Sequence, residues 1–266
     1  AHRTILDMKQ YPTGVLRLGT TKSWARYLMP AYILAFKRRY PDVQIELADG
    51  TSEDMAFSVL HGHNDVAIVA RMPFDAQLEN MPFPAHERDQ LVMVVHPKHR
   101  LARRKKVLLA ELANEKLLLR GRGSGIREAV MQAASEQGLE LDVVLEAGSA
   151  EFIKAMVAQG AGCSILTTLS VEEEERSGRL RSIPLSDPGL WLNIDLLVRR
   201  DGYRSNAVKA FLEFLSGWRE APAPAVKLTK GAQRKAEPSV SGLPAPDDGP
   251  PAPSPAGPSH AAGSSG

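Results

Sequence analysis

The sequence predicts an α/β protein in two lobes, joined by crossing strands and separated by a cleft. Three observations carry this. Short apolar runs alternate with amphipathic segments from residue 14 to about Trp218, the pattern of strands interleaved with helices. Several apolar runs end in small hydroxyls or glycines that lead straight into the next amphipathic segment, as helix starts do. A late run, Leu192–Arg199, alternates as a strand able to return to the first unit.

Val15–Gly19 reads as the first strand. Ser23–Arg39 reads as one helix, with Trp24, Tyr27, Leu28, Ile33, Leu34 and Phe36 as a broad apolar side, ended by Pro41. Val43–Leu47 alternates like a half-buried strand. Ser52 is placed to cap a helix through Leu60, with Gly62 as its stop. Val66–Ala70 is wholly apolar, as expected in the middle of a parallel sheet. In the second unit Gln90–His96 reads as a strand closed by Pro97, Leu108–Ala113 as a short helix and Lys116–Arg120 as a strand. Arg122-Gly123-Ser124-Gly125 leads into a helix to about Gln137. Leu141–Glu146 is a strand, and Ser149 caps a helix to Gln159. Cys163–Leu166 is a strand ending in Thr167-Thr168, and Ser170–Ser177 a helix. Ser205–Trp218 is the last amphipathic helix. The expected division is 1–13 as a linker, 14–88 as lobe I with 193–218 returning to it, 89–192 as lobe II, and 219–266 as a disordered tail. That tail holds about half of the prolines among Ala, Gly and Ser, a composition that buries too little apolar surface to fold.

Composition narrows the function classes. Of 266 residues 43% are hydrophobic, enough for a sizeable core, and the net charge of +2 gives no sign of a strongly basic nucleic-acid surface. The single cysteine, Cys163, cannot form an internal disulfide, which suits a reducing cytoplasm. Ala1–Gln10 is mixed and polar, unlike an export signal, and no apolar run approaches a membrane span. No Ser-His-Asp signature, zinc spacing or dinucleotide glycine fingerprint appears, so no enzyme and no cofactor is expected.

The ordered motifs carry a resemblance. Gly14-Val15-Leu16-Arg17-Leu18-Gly19-Thr20-Thr21 resembles the first strand of the effector-binding domain of LysR-type transcriptional regulators. Leu28-Met29-Pro30 with Phe36, then Arg39-Tyr40-Pro41-Asp42-Val43, and His61-Gly62 before Asp65-Val66-Ala67-Ile68 follow in the family's order. Asp89–His99 with Leu101-Ala102 is similar to its hinge-crossing strand. Val157–Gly162 resembles its glycine turn, and Ser205-Asn206-Ala207 with Phe211 its closing helix. Gly123-Ser124-Gly125-Ile126-Arg127 further resembles subgroups that govern carbon fixation or sulfur metabolism. The match spans roughly 14 to 218. One departure stands out: the family's Leu-Pro after the glycine turn is Leu166-Thr167 here, which adds a hydroxyl where a cleft should be.

The resemblance implies two Rossmann-like lobes of the periplasmic-binding-protein type II kind. It implies a cytoplasmic transcription factor whose separate N-terminal winged helix-turn-helix binds DNA. His2–Gln10 would be the end of the linker helix to that head, which is expected to be missing from this chain. DNA contact would then come only through that other segment, and no membrane is involved. The partners expected are a small anionic metabolite or inorganic anion, and a second copy of the chain. A dimer of this domain, and a tetramer in the full protein, would use the helix Trp24–Arg39 and the last helix. A periplasmic solute-binding protein feeding a transporter shares the architecture and is the alternative.

Open α/β sheets bind ligands beyond the carboxyl ends of their strands, where the hydroxyls sit. Helix N-termini expose N–H groups and a positive dipole end to an anion. Thr20, Thr21 and Ser23 are therefore the candidate grip from lobe I, and Arg120, Ser124, Ser149 and Thr167 from lobe II. Arginine adds a planar fork for carboxylate or sulfate; Arg122 is the alternative to Arg120. For Thr20, Thr21, Ser23, Ser149 and Thr167, plain helix capping is the competing reading, and for the cluster of Arg120, Arg122 and Ser124, a solvated surface loop. His61 and His63 lack a third metal ligand. Cys163 reads as a small buried apolar residue, Glu172–Glu175 as a solvated helix face, and Arg103–Lys106 as a solvated loop.

Overall fold

The protein is described by a computed structural model over residues 12–83, 88–187 and 190–217. The expected linker up to residue 11, Trp218 and the expected tail 219–266 lie outside the described residues.

The chain opens with strand β1 (Gly14–Thr21) and passes directly into helix α1 (Lys22–Tyr27). The expected single helix is two, because α2 (Met29–Arg39) starts afresh after Leu28. Pro30 is the cause: it has no N–H to donate one turn back, and its ring crowds the preceding turn. Leu28 closes α1 by donating its N–H to the Trp24 carbonyl at 2.9 Å. Strand β2 (Val43–Gly50) leads into α3 (Ser52–Leu60), whose cap is Thr51 rather than Ser52. Gly62, at φ 73°, takes the left-handed turn that ends the segment, and β3 (Val66–Ala70) is buried throughout.

Strand β4 (Leu78–Pro82) follows, then β5 (Arg88–Val95), α4 (Leu109–Leu112), β6 (Leu117–Arg120), α5 (Gly125–Glu136) and β7 (Val143–Ala147). Helix α6 (Ala150–Ala158), β8 (Cys163–Thr167), α7 (Thr168–Arg176), β9 (Arg181–Pro184), β10 (Trp191–Arg199) and α8 (Asn206–Gly217) complete it. Strands β4 and β9 were not expected. Each is short, ends in proline and carries polar residues, so neither shows an alternating apolar face.

The strands run in the order β2-β1-β3-β10-β5-β8-β6-β7, with β4 added to β10 and β9 to β5. In lobe I, β1 lies between β2 and β3, both parallel to it. Strand β3 has β10 antiparallel on its other side, so it sits in a mixed sheet rather than the wholly parallel one expected. In lobe II, β6 is parallel to β7 and β8, and β5 is antiparallel to β8 and β9. Strands β5 and β10 link the halves. Trp191–Asn193 pair with Arg88–Gln90, and Ile194–Arg199 go on to pair with β3 and β4. A short antiparallel ladder of two strands is thus the crossover.

Helix α8 lays its apolar face on α2. Phe36 meets Phe211 and Phe214 edge-on at 5.3 and 5.4 Å between ring centres, within the range aromatic pairs favour. That face belongs to the core of the lobe. On α2 and β2, Leu34 and Leu47 are left exposed. Behind the crossover, the fully buried Asp195 carboxylate accepts from Arg71 Nε and Nη2 and from Asn80 Nδ2, fixing β10 to β4 and to the segment after β3.

Candidate ligand-binding cleft

Four strand ends point into one gap of ≈ 370 Å³, its open mouth included. Thr21, Thr51, Ser124 and Thr167 each occupy the N-cap position of the helix that follows, α1, α3, α5 and α7, and all four line the cleft. In such a position a hydroxyl ordinarily accepts from a free N–H of the first turn. Only Thr51 does so: its Oγ1 accepts from the Asp54 N–H at 3.0 Å, and the Asp54 carboxylate accepts from the Thr51 N–H in return. The Thr21, Ser124 and Thr167 side chains make no cap hydrogen bond. Capping therefore does not account for them.

Arg120 ends β6 and is buried. Its Nη2 donates to the Gly148 carbonyl at 2.9 Å, which aims the fork. Its Nε is buried without a protein partner, and so is the Thr167 Oγ1. Burial draws the guanidinium's pKa down from its ordinary value, but arginine stays charged at any physiological pH. Among the described residues Arg120 is the only ionisable side chain lining the cleft. A buried cation and a buried hydroxyl, each with unmet hydrogen-bonding capacity, are costly unless a further group satisfies them. An anion does both.

The remaining lining is split between hydroxyls and an apolar wall. Ser23 faces the cleft from the first turn of α1, beside Trp24. The Ser52 Oγ accepts from the Ala70 N–H at 3.2 Å, tying α3 to the end of β3. Ile126 and Leu192 complete the wall.

The lobes meet at the edge of the cleft. The Glu53 N–H donates to the Gly123 carbonyl at 3.3 Å. Gly123 holds φ 75°, and a Cβ there would crowd Glu53 and Thr51; a Cβ on Gly125 would fall on that of Ala70. The glycines of this loop thus let lobe II approach lobe I closely.

Of the seven expected site residues, Thr21, Ser23, Arg120, Ser124 and Thr167 come together. Two do not. Thr20 is buried and points the other way, its Oγ1 donating to the Ile68 carbonyl at 3.0 Å, because successive strand residues face opposite sides. Ser149 is an exposed, ordinary cap of α6, accepting from the Phe152 N–H at 3.2 Å. Arg122 is exposed and does not line the cleft. Sequence reasoning missed Thr51 as a cleft residue, although Gly50-Thr51-Ser52 repeats the strand–hydroxyl–helix pattern of Gly19–Ser23. Trp24, Ile126 and Leu192 carried no signal beyond apolarity.

The other expectations resolve simply. His61 rests on the Phe57 ring at 3.9 Å, and no group of three His, Cys, Asp or Glu able to hold a metal occurs among the described residues. Cys163 is buried, with its thiol pushed up to about 12, chiefly by desolvation. Arg103–Lys106 are exposed. Glu172–Glu175 is not uniformly solvated: Glu174 is buried against Lys154, because α7 turns that side toward α6. Among the described residues no helix is long and apolar enough to cross a membrane.

With this geometry in view, the chain resembles known proteins along most of its length. The profile of the LysR substrate binding domain matches residues 9–219. An HTH-type transcriptional regulator of Methanocaldococcus jannaschii is 27% identical over 208 residues, 77% of this chain and 69% of that protein. The HTH-type transcriptional activator CmpR of Synechocystis sp. is 29% identical over 217 residues, 82% of this chain and 70% of that protein. Among solved structures, the cofactor-binding domain of the Cbl transcriptional regulator is 30% identical with a TM-score of 0.67, covering 77% of this chain and 89% of that one. The regulatory domain of Synechocystis CcmR, in complex with 2-PG, is 24% identical with a TM-score of 0.71 over 79% and 99%. The effector-binding domain of QuiR, in complex with shikimate, is 19% identical with a TM-score of 0.71 over 77% and 97%.

Proposed function

The chain belongs to the LysR substrate-binding domain family, and from that premise we propose that its cleft binds one small effector bearing a single anionic group, with Arg120 as the receptor for that group. It is the effector-binding domain of a LysR-type regulator, and a regulator's domain binds rather than turns over its ligand. The alternative, a solute-binding protein feeding a transporter, is not favoured, since the family and the relatives named above are regulators.

The observation that carries the proposal is that Arg120 and Thr167 both line the cleft and that Arg120 Nε and Thr167 Oγ1 are both buried without a protein partner. Among the described residues one cation and no carboxylate line the cleft, so one anionic group meets a counter-charge and a second does not. The hydroxyls of Thr21, Ser23 and Ser124 suit further oxygens of the ligand, and Trp24, Ile126 and Leu192 suit a short carbon frame. A carboxylate or a sulfur oxyanion fits this set. The effectors of CcmR and QuiR are small as well.

A ligand held from both sides favours the closed arrangement by its differential affinity for it. Closure then alters how subunits pack and positions a DNA-binding segment of the full regulator in the cytoplasm. The exposed Leu34 and Leu47 of lobe I are a surface for a second copy in a homodimer.

Calorimetric titration of the purified chain with sulfate, benzoate and shikimate, each carrying one anionic group, beside a dicarboxylate such as succinate, tests this. At least one of the single-group anions is expected to bind, and more tightly than the dicarboxylate. Arg120→Met is expected to weaken that binding between about 10- and 100-fold, the worth of a charge-assisted hydrogen bond. Equal affinity in the parent and Arg120→Met overturns the assignment.

A further inference from the structure

Away from the cleft mouth a second set of side chains spans the lobes. Tyr27, at the end of α1 in lobe I, donates its hydroxyl to Glu151 Oε1 at 2.9 Å. The same hydroxyl accepts from Lys154 Nζ of α6 at 3.0 Å. Lys154 is 2% exposed. Its ammonium also donates to the Ser170 carbonyl at 2.8 Å and pairs with Glu151 at 3.0 Å and Glu174 at 3.1 Å. Arg26 adds a contact to Glu151 at 3.3 Å.

The division of this cluster between lobes is informative. Lys154, Glu151, Glu174 and Ser170 all belong to lobe II and hold one another whether or not the lobes meet. Only Tyr27 and Arg26 come from lobe I. Burial works against the Lys154 ammonium, yet its hydrogen bonds to Tyr27, Glu151 and Glu174 outweigh this and hold its pKa above the ordinary value, so it stays charged. Burial likewise raises the pKa of Tyr27, which keeps its hydroxyl protonated. A preassembled charged socket thus receives one neutral hydroxyl from across the gap, beside the solvent-exposed Arg26–Glu151 pair, and that hydroxyl can return to water when the lobes part.

We propose that Tyr27 is a positioning residue for the effector site: seated in the Lys154–Glu151 socket, it latches lobe I onto lobe II and so raises the cleft's affinity for its ligand. The inference rests on the effector cleft proposed above. The elements that carry the latch also carry the cleft. Tyr27 lies one turn beyond Ser23 on α1. Ser170 and Glu174 lie on α7, which Thr167 opens. Gly148, which receives Arg120, immediately precedes the cap of α6. Seating Tyr27 and gripping an anion therefore require the same approach of α1 to α6 and α7. Two events that need one motion reinforce each other, and reciprocally. On the opposite edge of the cleft the corresponding contact is the backbone hydrogen bond from Glu53 to Gly123, which has no side chain to remove.

The test is Tyr27→Phe, which deletes one oxygen from a half-buried ring and keeps its packing. Spin labels on exposed Gln44→Cys in lobe I and Glu140→Cys in lobe II, with the buried Cys163 left in place, report the interlobe distance by pulsed electron resonance. Without ligand, Tyr27→Phe is expected to lengthen and broaden that distance while the melting temperature stays at the parent value. Sulfate, used as the probe anion, is expected to bind about tenfold more weakly, the scale of one hydrogen bond to a charged group. An unchanged distance distribution in Tyr27→Phe overturns the latch. Failure of sulfate to bind the parent chain counts against the anion reading of the cleft instead, and the distance comparison still decides the latch.

Discussion

Thr167 is a buried hydroxyl with no protein partner, at a position where its only ordinary use, capping α7, is not taken up. Leaving such a group unmet costs about 1–3 kcal/mol. Thr167→Val removes the hydroxyl and keeps the shape. The ligand-free chain is therefore expected to gain about 1 kcal/mol in denaturant unfolding, while the same variant binds the cleft's anion about tenfold more weakly. Opposite signs in the two measurements mark a group held for a ligand; a loss of stability on Thr167→Val would mark a structural one. That a hydroxyl follows Leu166 was legible in the sequence, as was its place at a strand end. Whether it caps was not, because the residue type is the same for both uses and only the direction of Oγ1 separates them. Thr20 and Thr21 make the point in neighbours: one faces β3 and the other the cleft, since the pleat alternates.

Among the elements, α3 shows how the cleft wall is kept in place. Its N-terminus carries a reciprocal cap between Thr51 and Asp54, and Ser52 in its first turn is bonded to Ala70. The Thr51 N–H and hydroxyl hold the Asp54 carboxyl below its ordinary pKa. A depressed carboxyl contributes stability above its unfolded pKa, and that contribution is lost as the pH falls through the folded value. Thr51→Ala is expected to lower stability by about 1 kcal/mol at neutral pH, with a smaller difference from the parent in acid; equal unfolding midpoints at neutral pH would show that the cap carries no weight. Most elements were legible from periodicity and stops, among them β1, β3, α5 and α6. The break between α1 and α2 was also written in the sequence, at Pro30, but the apolar pattern runs through it and hid it. Strands β4 and β9 had no legible pattern, because they are recruited by pairing with β10 and β5 rather than by an apolar face of their own.

Across the whole molecule, Gly125 of lobe II and Ala70 of lobe I limit how near the two lobes can come. A Cβ on Gly125 would overlap that of Ala70, and packed interiors yield little to an added methyl group. Gly125→Ala, at a helical position where alanine is otherwise favoured, is therefore expected to hold the lobes apart. Its effect should appear as a longer distance between labels at positions 44 and 140 and as weaker anion binding, with the secondary structure by circular dichroism unchanged. A parent-like distance in Gly125→Ala would mean that the lobes slide past the added group. The alternation of strands and helices, the hydroxyls at strand ends and the order of motifs were fixed by local chemistry, since they follow from residue type and spacing, and with them came the two-lobed α/β class and the family. Which hydroxyls share a gap, that Arg120 is buried with an unmet N–H, that two glycines serve the approach of the lobes, and that Tyr27 seats in a charged socket were decided by the tertiary structure alone. These depend on residues far apart in the chain, 127 positions in the case of Tyr27 and Lys154, and no local periodicity encodes the direction in which a side chain leaves a strand end once two lobes have folded against each other.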